Sequence, residues 1–240
     1  MTDASLRAAV KAATERLTKA GVPSPRNDAE VLAAHLLGVD RKDLFQRDTV
    51  DASAYDILID RRAGREPLQH LTGKASFRHI EVAVGPGVFI PRPESESTAG
   101  AAIDCAKQLR RPVVVDLYAG SGVIALSVVD EVPEATVHAV EAHDNAFDWL
   151  RRNTAGTPVV VHHTDVDGCL PELSGGVDVV VANPPYIPAG ARIRDPEVAV
   201  HDPASALRAV ASGLFDSVQV IYNVFEQSPE TELFPLCLEH

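Results

Sequence analysis

The sequence predicts an α/β protein: an open, largely parallel sheet covered by helices on both faces, preceded by a small helical bundle. Three observations carry this expectation. Over residues 1 to about 70, apolar side chains recur at three- to four-residue spacing, as on the face of a helix. From Val113 onward, short apolar runs alternate with helical stretches, the order that builds a parallel sheet. Between the first such run and the helix after it stands a glycine-bearing turn, Asp116-Leu117-Tyr118-Ala119-Gly120-Ser121-Gly122.

The helical part reads in four pieces. Leu6, Val10, Ala13 and Leu17 mark one face of a first helix, which Gly21 and Pro23 end. Asn27 or Asp28 is expected to cap a second helix, carrying Val31, Leu32, His35 and Leu36 before Gly38. Asp40 or Asp43 starts a short third helix through Leu44, and residues 52–65 form a fourth with Tyr55, Leu58 and Ile59 inward. From Leu71 the period changes. Residues 76–84 alternate in part like strands, and Gly85-Pro86-Gly87 makes a turn. Phe89-Ile90-Pro91-Arg92-Pro93 is extended, because each proline disfavours a helical predecessor. Residues 71–92 therefore read as a hairpin and linker. Beyond them, strands are expected at 113–117, 136–141, 159–161 and 177–182, with helices at 122–129 and 145–153.

Composition narrows the class. Hydrophobic residues make up 45% of the chain, enough for a core, and no apolar run approaches the length that spans a bilayer. The N-terminus lacks a basic stretch followed by an apolar one, so no signal peptide is read. The three cysteines lie far apart without a CxxC pair, which argues against a disulfide framework or a structural zinc site. A reducing, cytoplasmic setting fits best. The net charge of -12 is uneven: residues 1–78 hold 13 Lys/Arg against 11 Asp/Glu, leaving 9 against 23 for the rest. So acidic a C-terminal part repels a phosphate backbone, which weighs against nucleic acid as the direct substrate.

Four places carry chemistry. The turn at 116–122 lies where an open α/β sheet binds ligands, beyond the carboxyl end of a strand. Gly120 and Gly122 allow a sharp turn and close approach, and the Asp116 carboxylate suits a ligand ammonium better than a pyrophosphate. Glu141 ends the next strand and can accept from both hydroxyls of a ribose, of an adenosyl cofactor or of NAD alike. Asp165 follows the third strand, where its carboxylate could accept from an adenine amino group. Asn183-Pro184-Pro185-Tyr186 follows the fourth strand. Its prolines make a stiff edge. The Asn183 side-chain oxygen and the Pro184 carbonyl can together receive both hydrogens of a planar NH2 group, with Tyr186 stacked on the flat substrate.

These residues resemble a known pattern. Asp116 to Gly122 followed by the Asn-Pro-Pro-Tyr tetrapeptide resembles the class I methyltransferases that methylate amino nitrogens. More narrowly, the chain is similar to the HemK/PrmC family of peptide chain release factor glutamine methyltransferases. Pro67-Leu68-Gln69-His70-Leu71-Thr72-Gly73, Phe89-Ile90-Pro91-Arg92-Pro93-Glu94-Ser95-Glu96, Asn183 to Pro188, and Asp202-Pro203 with Ala206-Leu207 carry the narrower likeness. The resemblance implies a Rossmann-like methyltransferase sheet over residues 93–240, a substrate-docking helical domain over 1–70, and S-adenosylmethionine as cofactor. It implies that Asp116, Tyr118, Ala119, Gly120, Ser121 and Gly122 line the methionine part, that Glu141 holds the ribose, and that Asp165 and Val166 flank the adenine. Asn183, Pro184, Pro185 and Tyr186 would hold a glutamine amide, with Asn183 also touching the cofactor. Phe89 and Arg92 would shape the substrate entrance. A release factor is the implied partner, and a monomer is expected.

After Leu207 the chain departs from the family pattern. Residues 233–240 resemble a fifth strand with Pro235 inside it, and the antiparallel hairpin that normally completes the sheet is expected to be lacking. Leu238-Glu239-His240 reads equally as native sequence or as the start of a tag. Two rival readings use the same residues: an adenine N6-methyltransferase acting on nucleic acid, and a non-catalytic relative that binds a partner through its helical part.

Overall fold

The computed structural model describes residues 3–167 and 169–184, which divide into two compact units after Lys74. The predicted segments beyond Pro184, including the region 233–240, lie outside the described residues.

The first unit is helical. α1 (Leu6–Lys19) buries Leu6, Val10, Ala13 and Leu17, the face its spacing predicts. α2 (Pro25–Leu37) starts ahead of the expected Asn27 or Asp28, with Ser24 as N-cap and Pro25 in its first turn. Proline suits that place because its missing N–H has no intrahelical partner there. A 3₁₀ turn (Arg41–Gln46) takes the place of the third helix. α3 (Ala52–Ala63) is capped by Asp51, whose carboxylate accepts from the N–H groups of Ser53 and Ala54 at 3.0 and 3.2 Å. It buries Tyr55 and Ile59 as expected, whereas Leu58 is only half-buried and Arg62 is inside.

α2 buries a different face from the one expected. Ala29, Leu32, Ala33 and Ala34 are inside, while His35 is exposed. Asp28 and Glu30 are also inside, and each is paired. Arg62 Nε donates to Asp28 at 2.8 Å, and Glu30 accepts from Arg26 and Arg41. A carboxylate is buried only with such partners, and apolar spacing alone does not register it. The strands β1 (Asp3–Ser5) and β2 (Thr49–Asp51) pair antiparallel and have no counterpart in the sequence reading. Three residues are too few to show alternation. α4 (Leu68–Thr72) closes the unit and places Leu71 in its core, so the first strand of the hairpin begins at Lys74 rather than Leu71.

Beyond α4, β3 (Lys74–Phe77) and β4 (Ile80–Ala83) form that hairpin. α5 (Ser95–Ala106) follows, a helix the sequence reading did not name. Its buried Ala99, Ala102, Ile103 and Ala106 have helical spacing, yet small residues after two prolines give a weak signal. Next come β5 (Val113–Leu117), α6 (Val123–Glu131), β6 (Thr136–Glu141), α7 (Asp144–Thr154), β7 (Val160–His163) and β8 (Val179–Ala182). The four strands form a parallel sheet in the order β7-β6-β5-β8. Side chains from α5, α6 and α7 pack on one face around Val114, Val137 and Ala139. On the other face, Val166, Leu170 and Leu173 pack near Val115 and Val140. Among the described residues, α-helices therefore cover one face and an irregular segment covers the other.

Arg78 ties the hairpin to two helices. Its φ of 48° is left-handed, and its N–H donates to Glu96 of α5 at 3.0 Å. Its guanidinium grips both carboxylate oxygens of Glu131 at the end of α6, at 2.6 and 3.0 Å. Planar two-point pairing of this kind fixes orientation as well as distance.

Candidate active site

The parallel register brings three strand ends to one edge. Leu117 pairs with Val140 on one side and with Ala182 on the other. Tyr118, Glu141 and Asn183 therefore follow at the same level. β6 and β7 lie to one side of β5 and β8 to the other, so the strand order reverses at β5. The crevice beyond such a reversal is where open α/β sheets bind ligands.

The turn after β5 is built for close approach. Tyr118, Gly120 and Gly122 all have left-handed φ, of 59°, 56° and 85°. The Gly122 position is also crowded, since a Cβ there would lie 2.7 Å from Leu150 Cδ1. At Gly120 the space is open, the nearest atom to a Cβ being the Tyr118 carbonyl at 3.9 Å. Backbone bonds pin the loop: Ala119 N–H to the Val140 carbonyl at 3.0 Å, and Gly122 N–H to the Ala119 carbonyl at 2.8 Å. Ser121 is buried, and its carbonyl accepts from Asn153 of α7 at 2.9 Å.

Two carboxylates flank this loop. Glu141 is 6% exposed. One of its oxygens accepts from Gly120 N–H and the other from His143 N–H, both at 2.9 Å. Each oxygen retains a lone pair for a further donor. Asp116 is deeper, 1% exposed, and its Oδ2 accepts from the Ala125 N–H of α6 at 3.0 Å. Its Oδ1 is buried without a hydrogen-bond partner among the described residues.

Burial pushes the Asp116 carboxyl up to about 8; the Ala125 bond pulls down and the Glu141 charge raises it further. The unfolded carboxyl ionises near about 3.9. Between those values the folded state holds a proton that the unfolded state lacks. Stability therefore falls as pH rises toward 8, and the loss is complete above it. Asp116→Asn keeps the shape without the ionisation. Unfolding midpoints measured from pH 5 to 9 are expected to decline less steeply in that variant. Equal slopes would place the titration elsewhere.

The remaining predicted residues fall around the same edge. Val166 is buried against Leu117 and Val140. Its neighbour Asp165 is exposed, and its carboxylate accepts from Asp167 N–H at 3.4 Å. Asn183 follows β8, and its Nδ2 donates to Ser95 Oγ at 3.0 Å. Among the described residues its Oδ1 has no hydrogen-bond partner. Pro184 is buried. Phe89 and Arg92 contact each other, the guanidinium lying 5.4 Å from the ring centroid. Pro185 and Tyr186 lie outside the described residues.

Two contributors escaped the sequence reading. Asn153 bonds both the N–H and the carbonyl of Ala83 as well as the Ser121 carbonyl, so it clips α7 to β4 and to the loop. Its only sequence signal is a polar residue on the inner side of an amphipathic helix. Ser95, 6% exposed, sits inside the Phe89–Glu96 motif, where its small polar side chain carries no signal of its own beside Phe89 and Arg92.

Similarity to known proteins accords with this geometry. The family model described as the PrmC N-terminal domain matches residues 8–73, and the methyltransferase small domain matches residues 80–201. The release factor glutamine methyltransferase of Streptomyces coelicolor is 50% identical over 213 residues, covering 87% of this chain and 76% of its own. That of Mycolicibacterium smegmatis is 52% identical over 215 residues, covering 87% and 75%. A 4-amino-L-phenylalanine/4-methylamino-L-phenylalanine methyltransferase of Streptomyces pristinaespiralis is 40% identical over 221 residues, covering 88% and 75%. The sheet, its turn and these matches define a class I S-adenosylmethionine-dependent methyltransferase. Within that class, the chain belongs to the release factor glutamine methyltransferase family, an assignment that agrees with the resemblance read from the Asn183 tetrapeptide and its flanking segments. Among the described residues, no helix is long and apolar enough to cross a membrane.

Proposed function

We propose that this chain methylates a glutamine side-chain amide of a peptide chain release factor, with Asn183 and Pro184 gripping that amide. One observation carries the residue assignment. Asn183 spends its Nδ2 on Ser95 and leaves Oδ1 as an acceptor at the strand edge level with Tyr118.

The residues at the edge fit S-adenosylmethionine. The unpartnered Asp116 Oδ1 suits an ammonium. The open space above Gly120 accommodates a close ligand. Glu141 offers lone pairs to vicinal hydroxyls, and buried Val166 offers an apolar wall to a purine. Tyr118, Ala119, Ser121 and Gly122 complete the loop, with Asp165 at the rim. When bound, the cofactor supplies an electrophilic methyl on a sulfonium. The chain's own task is then orientation. An amide nitrogen is a poor nucleophile because its lone pair is delocalised. Asn183 Oδ1 and the Pro184 carbonyl accept its two N–H bonds and hold the nitrogen on line, while Tyr186 and the Phe89–Arg92 pair confine the flat group. This is catalysis by positioning and fixed dipoles. The alkylated nitrogen is acidic enough to lose its proton afterwards, so no base is required beforehand.

The helical unit docks the release factor in this reading. It carries a groove lined by Ala4, Ala8, Ala9, Ala12 and Ala52, with Arg16 and Asp56 among its walls. Ala8 and Ala12 are exposed. Replacing both by Glu is expected to raise KM for the release factor about tenfold, or about 1.4 kcal/mol. Steady-state kinetics should show kcat and cofactor affinity unchanged; an unchanged KM removes the groove from the docking surface. A translation factor as substrate supports a cytoplasmic setting, in which we propose that the enzyme works as a monomer.

Labelled S-adenosylmethionine offered with release factor, duplex DNA or 4-aminophenylalanine tests the substrate. Label on a glutamine of the release factor is the expected result. The aryl amine is the second reading, favoured by the Streptomyces pristinaespiralis relative, whose name specifies that substrate. Label on the amine or the DNA with none on the release factor would sink the first.

A further inference from the structure

We infer that Ser95 is a positioning residue of the reaction: its hydroxyl anchors the Asn183 carboxamide so that the acceptor end is held toward the methyl-accepting amide. The inference rests on the role given to Asn183 above and extends it to a residue on another element.

A carboxamide has a nearly two-fold terminal torsion. Rotated by half a turn, Asn183 would present Nδ2 where Oδ1 stood. A substrate amide to be methylated offers N–H, so it needs an acceptor there. With Nδ2 turned toward it, N–H would oppose N–H. A hydroxyl can accept from Nδ2 or donate to Oδ1, so Ser95 fixes the place and plane of the carboxamide, and the substrate N–H then selects the oxygen as the end that faces it. Ser95 Oγ takes the Nδ2 at 3.0 Å, across 88 positions of sequence, and leaves Oδ1 on the opposite side.

Ser95 is well placed to hold that bond. It is the first residue of α5 and is 6% exposed. The start of this helix is pinned from two directions. Ser95 N–H donates to the Arg92 carbonyl at 3.0 Å. The next residue, Glu96, accepts Arg78 N–H, and Arg78 in turn is locked to Glu131 of α6. The hydroxyl does not cap its own helix, for which Glu94 is the N-cap without a side-chain bond. A buried hydroxyl is costly unless bonded, and the bond this one makes is to Asn183. A rigid helix start thus transmits orientation to a side chain at the end of β8.

Ser95→Ala, Ser95→Thr and the natural chain separate this from mere packing. Two readouts are needed. The first is the ¹⁵N-detected side-chain NH2 of Asn183, identified by its absence in Asn183→Ala. The natural chain and Ser95→Thr should show a hydrogen-bonded, exchange-protected amide proton, and Ser95→Ala should lose it. The second is methyl transfer to the release factor. Ser95→Ala should lower kcat about tenfold or more, with KM and cofactor affinity within about twofold, and Ser95→Thr should restore kcat. An Asn183 amide signal indifferent to Ser95→Ala overturns the inference. So does a kcat unchanged in Ser95→Ala, or a Ser95→Thr as impaired as Ser95→Ala. If the natural chain leaves release factor unmethylated while the amide signal responds as described, the substrate reading falls and the Ser95 contact stands.

Discussion

Asn183→Ala is expected to lower methyl transfer by about 10³-fold, the loss seen when a preorganised dipole at a reacting centre is removed. The substitution deletes the acceptor Oδ1 and the Nδ2 that reaches Ser95. The amide substrate then keeps only the Pro184 carbonyl, and its nitrogen is no longer aimed. The cofactor side of the edge is left intact, since Asp116, Glu141 and the pinned loop belong to β5, β6 and the turn between β5 and α6. Calorimetry with S-adenosylmethionine should therefore give a dissociation constant within about threefold of the natural chain. A variant that loses kcat at constant affinity has lost an interaction made in the transition state. Turnover within tenfold of the natural chain would remove Asn183 from the reaction. A large drop in cofactor affinity would make it chiefly a cofactor contact.

Most of the sheet was legible because its residues obey one rule at a time. β5 is a short apolar run bounded by turn residues, the pattern of a strand buried on both faces. α1 shows the same clarity, with one face and no polar exceptions. The failures occur where two rules compete. In α2, Asp28 and Glu30 look like solvent residues, and only partners on distant elements make them interior. In β1 and β2 the pairing comes from α1 and α3 bringing their ends together, not from any pattern in six residues. At the site, the glycine turn, Glu141 and Asn183 were readable from chemistry at strand ends. Asn153 and Ser95 were not, because each acts through contacts across 32 to 88 positions of chain. A sequence displays which residue types are present; which two of them meet is decided by the register of the sheet.

The largest stability effect should come from Arg62, which is buried in the helical unit. Its side chain is 4% exposed and that of Asp28 is 6% exposed. Nε donates to Asp28 at 2.8 Å, and a terminal nitrogen donates to the Glu66 carbonyl at the same distance. Among the described residues, removing Arg62 leaves the buried Asp28 carboxylate with only the weaker Asn27 Nδ2 bond at 3.2 Å. Arg62→Ala is accordingly expected to destabilise the helical unit by about 3–5 kcal/mol. The asymmetry is what identifies the cause. Replacing both members by apolar residues of similar volume, Asp28→Leu with Arg62→Met, removes the stranded charge together with the pair and should recover most of the loss. Hydrogen exchange is the appropriate measurement, because it reads the opening of α2 and α3 locally instead of averaging over two units. Amides of α2 should lose protection in Arg62→Ala and regain it in the double variant. Arg62→Met alone fills the space but strands the Asp28 charge; if it recovers as well as the double variant, cavity formation dominated instead. If neither Arg62→Ala nor the double variant loses protection, the ion pair is incidental and the unit is held by its apolar core around Leu6, Leu17, Leu32 and Ile59.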